Sequence, residues 1–413
     1  MQVVQDRSLF PERPRRSGAS RPSPSDLMTR PYCITMCSES YLPRTSGVVH
    51  SLAALTRALR ARGHRVLIAA PRYPRHRDED PDVVRFPSLR PPSQPDFPLA
   101  LPYAPAAWRR LTAAKPDLVH THAPFVMGAV ALRLAARARR PLVFTHHTLY
   151  DEYVHYAPFL SRRVSAPAVR RFVTAYANRC ACVIAPSHVV ARRLRESGVA
   201  TRIEVIPTAA IDLEMFAALP VDGVRGAYGI PRDVPLVVTA SRLGREKSVP
   251  LVVEAFARIA AQRPGILMIV GGGPEEPRLR DLVAGLGLRG RVVFAGALPH
   301  RRALAAMAAG EVFLYASQTE TQGLVVVEAM AAGLPVVAVD AGGVSETVQD
   351  GRTGLLAPAE ADALAARALA LLDDPARRLA MGRAAREAAH AYTLDAVTDR
   401  VESLYASLLQ EGA

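Results

Sequence analysis

The chain has 413 residues, of which 49% are hydrophobic, 22% charged and 6% aromatic; at roughly 100 to 200 residues per domain this is a globular protein of two or three domains. No window reaches the ~18 to 20 uninterrupted apolar residues of a spanning helix, the best stretch, Ala329 to Val339, being broken by Gly333 and Pro335. The net charge of +14 is one-sided: residues 1–206 hold 32 Lys or Arg against 14 Asp or Glu, whereas residues 207–413 hold 20 against 24. An arginine-biased composition does not by itself produce that asymmetry, so the first half is expected to meet something anionic, a membrane surface or a nucleic acid.

Residues 1–29, with four prolines, five serines and no apolar periodicity, read as a disordered basic leader, or as residues upstream of a true start at Met28. They contain no apolar h-region, so no secretory signal is expected. Cys33, Cys37, Cys180 and Cys182 lack metal-ligand spacing and read as buried thiols of a reducing cytoplasm.

From Tyr32 a rhythm of short apolar runs and helical stretches begins. Strands are predicted at Tyr32–Cys37, Arg65–Ala70, Asp117–Thr121, Leu142–Thr145, Cys182–Ala185 and Ile203–Pro207, with helices such as Val48–Arg62 and Ser161–Asn178 between them. The eight prolines between Pro81 and Pro105 mark either a binding loop or a surface insertion. Asp78-Glu79-Asp80 reads as a solvated acidic turn. After a looser stretch from Asp212 to Pro235 the rhythm restarts, with strands at Leu236–Ala240, Leu267–Val270, Val292–Phe294, Val312–Tyr315 and Val336–Val339. The reading is α/β: an N-terminal Rossmann-like domain at 30–211, a C-terminal one at 212–390, and a final helix at 391–413 expected to pack back toward the first domain. In doubly wound sheets ligands lie beyond the carboxyl ends of the strands, so two facing sheets define one cleft.

The loops after strands carry the candidate chemistry. Arg242 and Lys247 stand five apart just ahead of a helix; two cations with free backbone N–H groups can bind a diphosphate without a metal. Lys247 is one of only two lysines in the chain, the other being Lys115. Gly271-Gly272-Gly273 follows a strand, where a nucleotide can approach the backbone closely. In Glu320-Thr321-Gln322-Gly323-Leu324-Val325, a helix beginning near Gly323 aims the N–H groups of Gly323, Leu324 and Val325 at an anion, with Glu320 over the cleft and Glu328 one and a half turns inside. Buried carboxylates at such positions can accept hydrogen bonds from the vicinal hydroxyls of sugars.

The Glu-x7-Glu run at Glu320 and Glu328, the Arg-x4-Lys at Arg242 and Lys247, and the glycine turn resemble retaining nucleotide-sugar glycosyltransferases of family 4, which have the GT-B fold of two Rossmann-like domains. The resemblance spans Tyr32 to Leu409. Within the family, Thr319 to Gly333, the loop around Gly47 and the segment Thr145 to Pro158 are most similar to bacterial 1,2-diacylglycerol 3-glucosyltransferases. The sequence departs from many relatives in having Thr321-Gln322-Gly323 for Gly-Phe-Gly, and Thr208-Ala209-Ala210 for a glycine-containing turn. The resemblance implies that Arg242 and Lys247 hold the donor diphosphate, Glu328 the ribose and Glu320 the transferred sugar. It implies that Gly47 lets the donor approach, and that His147, in tandem with His146, is the active-site histidine. Glucose from UDP-glucose onto diacylglycerol is the reading that follows; UDP-galactose or GDP-mannose, and phosphatidylinositol or polysaccharide, are the alternatives. No metal and no cofactor is expected.

The acceptor side is expected at a membrane. Tyr150, Tyr153 and His155 precede a helix carrying Arg163, Arg170 and Arg171, and tyrosines beside a basic helix face suit anionic headgroups. The protein is therefore expected in the cytoplasm, peripheral on the inner face of the cell membrane. A nucleotide-sugar epimerase would need no acceptor. A phosphorylase would need a lysine placed for pyridoxal phosphate, which neither Lys115 nor Lys247 offers, and no nucleic-acid-binding motif is present.

Overall fold

The computed structural model describes residues 30–44, 46–89, 98–150, 162–208 and 210–411, with the backbone alone at 162–165. The leader, Tyr153 and His155 lie outside the described residues, and so does the side chain of Arg163.

The first half contains β1 (Cys33–Cys37), β2 (Arg65–Pro71), β3 (Val83–Phe86), β4 (Ser88–Leu89), β5 (Leu99–Ala100), β6 (Leu118–Thr121), β7 (Leu142–Thr145), β8 (Cys182–Ala185) and β9 (Ile203–Val205). Seven of these form a parallel sheet in the order β3-β2-β1-β6-β7-β8-β9, and β4 pairs antiparallel with β5. The second half contains β10 (Leu236–Ala240), β11 (Ile266–Val270), β12 (Val292–Gly296), β13 (Val312–Tyr315), β14 (Val336–Val339) and β15 (Gly354–Ala357), parallel throughout in the order β12-β11-β10-β13-β14-β15. Helices cover both faces of each sheet, so strands such as β10 and β11 are buried at every residue and read as unbroken apolar runs.

Chain order reverses between β1 and β6 in the first sheet and between β10 and β13 in the second. These reversals open the crevices where doubly wound sheets bind ligands. The loops after β10 and β13 carry Lys247 and Glu320.

The final helix, Leu394–Glu411, returns to the first half. Val397, Val401, Leu404, Tyr405 and Leu408 are buried in one core with Leu52, Leu59 and Ile34. Each such aliphatic side chain contributes roughly 1.5–3 kcal/mol by leaving water. Polar contacts fix the register: Glu402 sits 2.5 Å from Arg62 and 2.9 Å from His64. Burial opposes its ionisation, but the bonds from His64 and Arg62 hold its carboxyl below the ordinary range.

Two expectations are corrected. The proline-rich stretch is not all loop: Val83–Phe86 is the edge strand of the first sheet, paired with Ile68–Pro71. The acidic turn is not simply solvated: Asp78 accepts from Arg85 at 2.6 and 2.9 Å, and Asp80 pairs with Arg60 at 2.6 Å. Burial of the Arg85 side chain makes Asp78 its structural partner, a pairing invisible to local charge counting. β15 was not anticipated either.

Candidate active site

At the second crevice, the loop after β10 makes a single 3-10 turn, Arg245–Lys247, before the helix Val249–Gln262. Lys247 Nζ donates to Glu320 Oε1 at 2.5 Å, and the Tyr315 hydroxyl donates to the same oxygen at 2.7 Å. Burial pushes the Glu320 carboxyl upward, but the Lys247 charge and the hydrogen bonds of Lys247, Tyr315 and Ser317 outweigh it, and the net shift is below the ordinary value. Glu320 is therefore an ionised acceptor at neutral pH, suited to sugar hydroxyls rather than to proton donation. Arg242, on the same loop, lies 3.6 Å from Glu246.

The helix Leu324–Ala331 begins beside this pair. Gly323 stands at its N-cap with φ 84°, a conformation that favours glycine. It has no side-chain cap, so the amides of Leu324 and Val325 are among those left without intrahelical partners. Gly342 and Gly343 let a second loop pack against the first: a Cβ there would come 2.7 Å from the Glu320 carbonyl and 2.2 Å from that of Thr321. Gly271 and Gly273 serve the same end, since a Cβ would meet the carbonyls of Ser241 and Leu243 at 1.9 and 2.5 Å. Gly272 differs, for its Cβ would make ordinary 3.5 Å contact with Ala297. The glycine turn is thus required chiefly for loop-on-loop packing.

Glu328 is buried, with His300 Nε2 2.7 Å from its Oε1. It lines a cavity of about 510 Å³ between the two halves, together with Gly47, His50, Phe216, His300 and Leu324. Gly47 opens the helix Gly47–Ala61, capped by Ser46; a Cβ on it would meet nothing within 4 Å.

The first half contributes a histidine cluster. His147 Nε2 lies 2.9 Å from His122 Nδ1, and His120 bonds to Thr145 and Tyr405, each at 2.6 Å. Burial drives all three imidazoles toward neutrality, His120 down to about 3 and the other two well below their ordinary range. Of the tandem pair, His147 meets the loop after β13: its backbone carbonyl accepts from the Thr321 hydroxyl at 3.0 Å. His146 instead packs edge-on against Phe144 and Tyr150. Ser187 Oγ donates to the Thr321 carbonyl at 2.7 Å, and Thr208 N to Gln322 Oε1 at 2.8 Å. The two places where the sequence departs from its relatives thus meet each other across the cleft.

Of the expected residues, Gly47, Leu324 and Glu328 line the cavity between the two halves; the Lys247–Glu320 pair stands at the start of the helix Leu324–Ala331 beside Gly323, Arg242 is on the Lys247 loop, and His147 adjoins the Thr321 loop. Tyr150 stands on the first half, edge-on to Phe125, which stacks on the half-exposed Phe172. Arg170 and Arg171 are exposed on the same helix as Phe172, Arg162–Ala177. Sequence reasoning missed His122, His50 and His300. His122 could have been found, because it follows β6, and the loops after β1 and β6 flank the first reversal in strand order.

Two facing, parallel, doubly wound sheets with these loops at the second crevice define a glycosyltransferase of the GT-B fold. Residues 45–214 match the pattern of Glycosyltransferase Family 4, and residues 222–388 that of Glycosyl transferases group 1. The chain is 32% identical over 338 residues to the alpha-monoglucosyldiacylglycerol synthase of Acholeplasma laidlawii, covering 78% of this chain and 84% of that protein. It is 27% identical over 392 residues to the GDP-mannose-dependent alpha-mannosyltransferase of Corynebacterium glutamicum, covering 92% and 90%. The solved sucrose-phosphate synthase from Thermosynechococcus elongatus superposes with a TM-score of 0.75 at 26% identity, over 92% of this chain and 100% of that one. The chain belongs to glycosyltransferase family 4. Among the described residues no helix is long and apolar enough to cross a membrane.

Proposed function

We propose that the protein is a retaining hexosyltransferase that moves glucose from UDP-glucose onto 1,2-diacylglycerol, working from the cytoplasm as a peripheral protein on the inner face of the membrane. The observation that carries the donor half of this reading is the Lys247–Glu320 contact beside the open N-terminus of the helix Leu324–Ala331, with Glu328 behind it. An ammonium has three N–H donors, so Lys247 can bridge Glu320 and a phosphate oxygen. The acceptor half is supported by the Acholeplasma relative and by the basic first half, on which Arg170 and Arg171 are exposed while Tyr150 packs partly buried against the core.

In this mechanism Arg242, Lys247 and the amides of Gly323 to Val325 stabilise the leaving diphosphate as the bond from the anomeric carbon to its oxygen breaks. The acceptor oxygen attacks from the same face and gives its proton to the departing phosphate oxygen. Glu320 and His147 position the sugar, and Glu328 accepts from the ribose hydroxyls. Fixed cations supply the charge that a metal would otherwise provide.

The test is to incubate the protein with labelled UDP-glucose, UDP-galactose and GDP-mannose and diacylglycerol vesicles, then to identify the lipid product and its anomer. Transfer from UDP-glucose with the donor's anomeric configuration is expected. An inverted anomer, or a glycosyl adduct trapped on Glu320, refutes the mechanism; transfer only from GDP-mannose, the donor named for the Corynebacterium relative, replaces the sugar.

A further inference from the structure

Glu328 lies deep in a mostly apolar helix, and a carboxylate there needs a partner to remain ionised and fixed in one orientation. Among the described residues its hydrogen-bonding partner comes from another element: His300, the first residue of the helix His300–Ala308, places Nε2 2.7 Å from Oε1. Among the described residues no hydrogen bond reaches Oε2. The His300 ring is itself steadied from across the cleft, where His50, on the helix Gly47–Ala61 of the first half, stacks on it with centroids 5.6 Å apart and planes 30° apart. All three side chains line the same cavity.

Resting on the assignment of Glu328 to the ribose, we infer that His300 is a positioning residue that holds Oε1 of Glu328 so that Oε2 is presented to the donor's vicinal hydroxyls, and that His50 braces it from the opposite half. The hydrogen bond that His300 donates to Glu328 also raises its imidazole pKa above the ordinary value. His50, by contrast, is lowered by burial and by the facing His300, so the stack is favoured with at least one ring neutral. The ribose contact thus depends on both halves, although the ribose touches only one of these residues.

The test compares UDP and GDP with their 2′,3′-dideoxy analogues by titration calorimetry, using the wild type, His300→Leu, His300→Gln, His300→Asn and Glu328→Gln. Loss of the diol should weaken the wild type about tenfold, the scale of one hydrogen bond to a charged group. His300→Leu and His300→Asn should lose most of that discrimination and raise the donor KM more than they lower kcat. His300→Gln, whose amide nitrogen can occupy the place of Nε2, should restore it, and it keeps the test open if His300→Leu fails to fold. Full diol discrimination in His300→Leu alongside its loss in Glu328→Gln overturns the inference and leaves the ribose assignment standing. Full discrimination in Glu328→Gln overturns both.

Discussion

The two halves share one architecture and use it in opposite ways. In the second half the loops at the strand-order reversal are charged and locked together: Lys247 on Glu320, Gly342 and Gly343 against the Glu320 loop, Gly271 and Gly273 against the Arg242 loop. In the first half the corresponding wall is a cluster of histidines driven neutral by burial, on a domain whose outer surface is basic. A diphosphate donor requires fixed positive charge that does not reorganise when the bond breaks. On the proposed function, an acceptor hydroxyl delivered by a lipid meets that neutral wall, and the basic outer surface is what finds the membrane. The difference lies in how the two walls are built on a shared fold, around a locked ion pair in one half and around neutral imidazoles in the other.

Removing the charge inside the cleft should have the largest effect. Lys247→Ala is expected to add roughly 2–4 kcal/mol to the barrier, read mainly in kcat. It also removes the cation that holds the Glu320 carboxyl below its ordinary pKa, leaving burial to raise it, so the acid limb of the kcat/KM profile should move to higher pH. An unmoved acid limb would mean that Glu320 is not held by Lys247 in solution.

Reversing the outer charge tests the other half. Arg163, Arg170 and Arg171 changed together to Glu should release the protein from anionic vesicles, at roughly 1 kcal/mol for each arginine lost and more at low salt, while nucleotide binding is retained. Equal sedimentation of mutant and wild type with anionic vesicles would sink the membrane-facing assignment.

The join between the halves is the next target. Gln322→Ala leaves the Thr208 amide without its acceptor, and a buried amide left unpaired costs about 1–3 kcal/mol. The melting temperature should fall, and Gln322→Glu, which keeps an acceptor oxygen, should recover part of the loss. If Gln322→Ala melts with the wild type, the cross-cleft bond does not contribute in solution.

The smallest effect concerns Glu39 after β1, whose Oε1 accepts from Met127 N at 2.7 Å at the start of the helix Val126–Ala138. Burial raises its carboxyl pKa to about 7 despite these backbone bonds. The folded state therefore holds this proton more tightly than the unfolded chain. Its contribution is fully present below the ordinary carboxylate range and is lost as the pH rises through about 7, on the order of 1–3 kcal/mol. Glu39→Gln should flatten the melting temperature between pH 5 and 8; an unchanged slope would show that another group is responsible.

The fold was largely legible because parallel strands buried on both faces write themselves as uninterrupted apolar runs: β7, β8, β10, β13 and β14 were placed to the residue. Gly354–Ala357 and the edge strand Val83–Phe86 escaped because the first is glycine-led, while the second carries Arg85 and lies among prolines. The loops that carry the candidate donor-side residues were legible for a similar reason, since strand ends, helix starts and glycine turns are local features with fixed spacing. What no spacing encodes is which side chain from a distant element completes a site. His300 meeting Glu328, His122 meeting His147, Thr208 meeting Gln322 and Tyr405 meeting His120 are separated by 25 to 285 residues in the chain. Sequence by itself determined the two α/β sheets and the loops that carry charge, because those follow from local periodicity and backbone geometry. Only the tertiary structure decided which partner holds each buried polar group, because the cost of burying a carboxylate or amide is relieved by whatever donor or acceptor packing brings within about 3 Å.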